Sequence, residues 1–83
     1  MENKPKREEI NQEALERFGK RLREIRKAKG YKTAEAAAYK LEIQRAQYTR
    51  YESGKSNLNY LTMIEVLNKL DIPISEFFAQ GFD

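Results

Sequence analysis

The 83-residue chain has no cysteine and no histidine. Disulfide staples, zinc fingers and Ser-His or Cys-His relays are thereby excluded, and stability has to come from packing alone. No apolar run approaches the roughly 18 residues of a membrane span. The opening residues, MENKPKREEINQE, are charged throughout, unlike a signal peptide. A cytoplasmic protein without membrane association is the expectation. The length suits one domain with a modest core and leaves no room for a catalytic cleft beside it. Strand-like alternation, internal repeats and low-complexity segments are also missing, which points to an all-α domain.

What is present is charge, unevenly spread. Residues 1–29 hold 10 Lys/Arg against 6 Asp/Glu, residues 30–59 hold 5 against 3, and residues 60–83 hold 1 against 4. A chain that is basic through Lys55 and acidic afterwards has one end attracted to polyanions and another turned away from them.

Helical periodicity divides the chain into five segments. Leu15, Phe18, Leu22 and Ile25 form the apolar stripe of a first helix, with Lys20, Arg21, Arg23, Glu24 and Lys27 between them and Gly30 as its stop. Thr33 can cap a second helix running through Lys40, whose Ala34, Ala36, Ala37 and Ala38 allow close approach by a neighbour. A third helix spans about Arg45 to Ser53 and ends at Gly54. Asn59 can cap a fourth with the stripe Leu61, Ile64, Leu67 and Leu70, broken by Asp71 to Pro73. Ser75 can cap a short fifth, Glu76 to Gln80, stopped by Gly81. Residues 1–13 are expected to be a mobile or helical extension, 14–80 the domain, and 81–83 a tail.

The third segment, IQRAQYTRYESGK, has two faces. Tyr48 and Tyr51, at i and i+3, belong to the core side, while Arg45, Ala46, Thr49 and Arg50 belong to the outer side. An alanine-rich helix, a three-residue turn and a polar helix form the arrangement that sets a helix in the DNA major groove.

From FGKRLREIRKAKG through AAAYKLEIQRAQYTRYESGK to TMIEVLNKLDIPISEFF, about 60 of the 83 residues resemble the phage Cro and repressor type of helix-turn-helix, the XRE family. The resemblance implies a five-helix, lambda-repressor-like DNA-binding domain. Arg26 and Glu52 fall where relatives tie helix 1 to the end of the recognition helix, so they are expected as a structural ion pair. Family base-reading positions fall on Arg45, Ala46, Thr49 and Arg50: arginine can fork onto guanine, threonine can hydrogen-bond or touch a thymine methyl, and alanine makes only the apolar contact. Gln44, a weak cap, is expected to reach a base or a phosphate. Lys55, Ser56 and Asn57 resemble the family's phosphate-binding turn, and Gln47 flanks the reading face. Lys32 and Thr33, at the positive end of the second helix, also suit a phosphate.

Some residues depart from the family pattern. Ala34 stands where relatives commonly carry glutamine, which shifts weight onto Arg45 and Arg50. Glu42 occupies a turn position usually held by glycine and would there incur a left-handed penalty of about 1 kcal/mol.

The implied function is a sequence-specific DNA-binding transcriptional regulator, a repressor that occupies a palindromic operator on double-stranded DNA. An alternative is an antitoxin-like module whose helices cap a toxin or another protein partner, with DNA binding secondary. Carboxylate pairs such as Glu52 with Glu65, or Asp71 with Glu76, have no metal cluster or Gly-rich loop beside them, so no enzyme, cofactor or small-molecule substrate is expected. Because one helix reads too few base pairs to mark a genomic site, a homodimer is expected on DNA. Ile74, Phe78 and Phe82 are its candidate contact residues, the competing expectation being that both phenylalanines fold back over helix 1 or helix 4.

Overall fold

A computed structural model describes residues 7–82 of the chain, and among these residues there are five helices and no strand. They are α1 (Arg7–Ala28), α2 (Ala34–Leu41), α3 (Arg45–Ser53), α4 (Tyr60–Lys69) and α5 (Ile74–Phe77). Within the 1–13 extension, residues from Arg7 onward are the start of α1. Residues 1–6 and Asp83 of the expected tail lie outside the described residues.

Four helices end in the same way. The N–H two residues past the last full turn reaches back five residues, from Tyr31 to Arg26, Ile43 to Ala38, Lys55 to Arg50 and Ile72 to Leu67, at 2.9–3.1 Å. This bond needs a left-handed residue just before it. Gly30 and Gly54 take that conformation without strain. Glu42 (φ 59°) and Asp71 (φ 57°) adopt it as well, at about 1 kcal/mol each. At the helix starts, the Thr33 hydroxyl accepts from the Ala36 N–H at 3.0 Å and the Asn59 carbonyl oxygen from the Thr62 N–H at 2.8 Å. Each cap contributes about 1 kcal/mol.

The core gathers Phe18, Leu22 and Ile25 of α1, Ala37, Ala38 and Leu41 of α2, Tyr48 and Tyr51 of α3, Val66, Leu67 and Leu70 from α4 and its end, and Phe77 of α5. Two expected elements differ. Leu61 is 70% exposed, and the core side of α4 is Met63, Val66, Leu67 and Leu70. Positions three apart drift about 60° per step around a helix of 3.6 residues per turn, so Leu61 and Leu70 end on opposite sides. The fifth helix begins at Ile74 rather than at a Ser75 cap, because Pro73 (φ −64°, ψ 146°) already provides the entry, and it ends at Phe77 rather than Gln80.

Its early end has a partner. Arg21, expected among the polar residues of α1, is buried. Its Nε donates to the Phe77 carbonyl at 2.7 Å and a terminal nitrogen to the Glu76 carbonyl at 3.0 Å. A guanidinium on the final carbonyls of α5 satisfies groups the helix leaves open and complements its dipole.

Candidate DNA-reading face

The third helix is held from behind by α1. The Arg26 guanidinium donates to both carboxylate oxygens of Glu52, at 2.6 and 3.3 Å, and its third nitrogen donates to the Tyr31 carbonyl at 3.0 Å. Both residues are buried, 5% and 6% exposed, so this fork is shielded from water. Arg23 adds a longer contact to the same carboxylate at 3.7 Å. A planar bidentate pair fixes angle as well as distance, and here it sets α3 against α1.

Gly19 makes that closeness possible. A Cβ built there would overlap the Glu52 carbonyl oxygen and lie 2.7 Å from the Glu52 carbonyl carbon and 2.8 Å from the Tyr51 oxygen. Sequence reasoning did not single out this residue; the signal was a glycine inside a strongly periodic helix. Gln12, in the helical extension, donates to the Gly54 carbonyl at 3.4 Å, so α1 touches α3 at its end too.

Tyr48 is fully buried, and its hydroxyl has no hydrogen-bond partner in good geometry. Burial pushes the phenol well above its ordinary titration range. The neighbouring Glu52 carboxylate adds to that push, and Arg26 opposes it. A neutral hydroxyl is thus buried beside the Arg26–Glu52 ion pair.

On the opposite side of α3, Gln44, Arg45, Ala46, Thr49 and Arg50 are all exposed. Gln44 makes no side-chain cap. Arg45 donates to Glu35 of α2 at 3.1 Å, and Arg50 donates to the Lys55 carbonyl at 3.3 Å. Gln47 donates to the Ser56 hydroxyl at 3.0 Å, which ties the helix to the turn that follows it. Lys55 and Asn57 are exposed in that turn and Ser56 is half-buried. Lys32 and Thr33 are exposed at the start of α2. These contacts tie the outer face of α3 to the first turn of α2, through Arg45 and Glu35, and to the turn that follows it, through Gln47 with Ser56 and Arg50 with Lys55.

Ile74 and Phe78 lie elsewhere, 38% and 37% exposed. Phe82 is half-buried and packs against Phe77 and Phe78, with ring centroids 6.0 and 4.7 Å away. Phe78 and Phe82 also line an open, mostly apolar groove of about 450 Å³, together with Ala14, Leu15, Phe18, Leu58 and Met63. Among the described residues there is no acidic cluster fit to hold a metal ion, and no helix is long and apolar enough to cross a membrane.

An α2–turn–α3 pair locked from behind, with a solvated polar helix in front, is a helix-turn-helix DNA-binding unit. The family model described as a helix-turn-helix domain matches residues 19–80, and the chain belongs to that family of DNA-binding regulators. Its relatives are more specific. The chain is 32% identical over 63 residues to control protein C.MunI of Mycoplasma sp., covering 76% of this chain and 85% of that one. It is also similar to the crystal structure of the restriction-modification controller protein C.AhdI from Aeromonas hydrophila, at 33% identity and a TM-score of 0.69, covering 80% of this chain and 98% of that one.

Proposed function

We propose that this protein is a controller-type repressor that seats α3 in the major groove of a two-fold symmetric operator, in the manner its control-protein relatives suggest for the genes of a restriction-modification system. The observation that carries the reading is the buried Arg26–Glu52 fork behind an exposed Arg45, Ala46, Thr49 and Arg50 face. Guanidinium forks can read guanine O6 and N7, and the small Ala46 leaves room for a thymine methyl. Gln44 joins them on the bases. Lys32, Thr33, Gln47, Lys55, Ser56 and Asn57 grip phosphates on either side, which fixes register without carrying sequence information. The mechanism is occupancy, with no catalytic step.

One α3 covers about four or five base pairs, so two copies act together on half-sites about one DNA turn apart. Exposed Ile74 and Phe78, with Phe82 beside them, supply apolar surface for the second copy on the acidic third of the chain. Replacing Phe78 and Phe82 with serine is expected to give a folded monomer with weaker binding to the operator. Selection of preferred sites from random-sequence duplex DNA tests the whole reading. A palindrome with salt-dependent affinity is the expected product, and failure to enrich any sequence would rule the reading out.

A further inference from the structure

An acidic residue beside a DNA-binding face opposes phosphate, and Glu35 stands next to the outer face of α3 through its contact with Arg45. It sits in the first turn of α2, exposed, with its carboxylate 3.1 Å from an Arg45 guanidinium nitrogen. The pair bridges the two helices of the helix-turn-helix, and both side chains remain about 70% exposed, so it contributes little to folding. A first-turn acid also complements the helix dipole, but that effect requires no arginine across the turn.

We propose that Glu35 is a positioning residue for base recognition: it engages one terminal nitrogen of the Arg45 guanidinium, biasing the side chain so that its other nitrogens are left for guanine, and it withholds that charge from phosphates on non-cognate DNA. The inference rests on the proposed reading of α3 as the recognition helix. Two physical effects run in the same direction. Pre-orienting a long side chain lowers the rotamer entropy lost on binding the right base. A carboxylate beside the arginine penalises any docking in which Arg45 slides onto the backbone, because the acid is then brought near phosphate without compensation. Glu35 therefore lowers affinity for random DNA and sharpens discrimination at one base position.

The test is a double-mutant cycle on the full chain. Its probe is a duplex recovered by selection from random-sequence DNA, compared with versions carrying each other base at the Arg45-dependent position and with an unselected duplex. Glu35→Gln is expected to strengthen binding to the unselected duplex and to reduce discrimination at that position by about two- to fivefold, the range of an exposed ion-pair coupling. Glu35→Asp keeps the charge and the dipole interaction but is one methylene shorter, and is expected to lose the discrimination as well. In an Arg45→Gln background, Glu35→Gln should leave discrimination unchanged. Unaltered discrimination in Glu35→Gln and Glu35→Asp, or an equal effect with and without Arg45, overturns the proposal while leaving the DNA-reading function standing. If the wild-type chain selects no sequence, the proposed function falls and this inference falls with it.

Discussion

Gly19→Ala offers a test in which intrinsic propensity and tertiary structure predict opposite signs. Gly19 lies inside α1, where alanine in place of glycine gains about 1 kcal/mol in an isolated helix. Here the added methyl would overlap the Glu52 carbonyl oxygen and sit 2.7 Å from the carbonyl carbon, against backbone that no rotamer change can move. Restoring an ordinary carbon–oxygen contact requires α1 and α3 to part by about 1 Å. Overpacking of this kind costs about 1–3 kcal/mol, and the same separation would pull on the 2.6 Å Arg26–Glu52 bond. Set against the propensity gain, and with the strained ion pair included, the expected net loss is about 1–2 kcal/mol, a fall in Tm of about 4–16 °C for a domain this size. Thermal unfolding by circular dichroism measures it. DNA affinity should fall alongside, because the helix that shifts is the proposed reading helix. An unchanged or raised Tm would refute the close approach of α1 and α3.

Glu52→Gln keeps the shape but leaves the buried Arg26 charge unmatched, so urea unfolding should reveal a loss of about 2–4 kcal/mol; an unaltered midpoint would mean that the fork does not hold α3. Tyr48→Phe removes a buried hydroxyl that makes no well-formed hydrogen bond and should stabilise by up to about 1 kcal/mol near neutral pH. Because burial raises the Tyr48 pKa in the folded state, the contribution of its neutral form is intact below the unfolded value of about 10 and is lost above it. The advantage of the phenylalanine variant should therefore widen in alkaline solution; a gap that stays constant would contradict the assigned burial. Lys55→Ala should weaken binding to selected and random duplexes alike and lower the salt slope by about one unit for each phosphate it no longer neutralises, whereas an identical slope would remove Lys55 from the phosphate grip.

Local rules carried much of this fold. The Thr33 and Asn59 caps, the Gly30 and Gly54 stops and the bounds of α3 follow from side-chain chemistry within a few residues, which a single sequence displays. What was not legible depends on neighbours distant in the chain. Arg21 looked like a surface cation because its partners, the Glu76 and Phe77 carbonyls, are 55 and 56 residues away. Leu61 joined the expected stripe because regular three-residue spacing was followed past the point where it leaves the core side. Asp71 takes the left-handed position that composition would assign to glycine, and packing of Ile72 behind it offsets the strain. At the candidate site, the outward face of α3 was legible from periodicity. The pairing of Arg45 with Glu35 and of Arg50 with Lys55 was not, since register alone does not say which exposed side chains meet.

The central claim is that α3 reads bases and does not merely attract DNA. Binding of Arg45→Ala and Arg50→Ala to the selected operator and to random duplex, measured by fluorescence anisotropy at one salt concentration, tests it most directly. Each substitution is predicted to cost about 1–3 kcal/mol on the operator and to relax preference at one base position, with a much smaller loss on random DNA. Equal losses on the two duplexes would contradict the claim and reduce α3 to a source of positive charge.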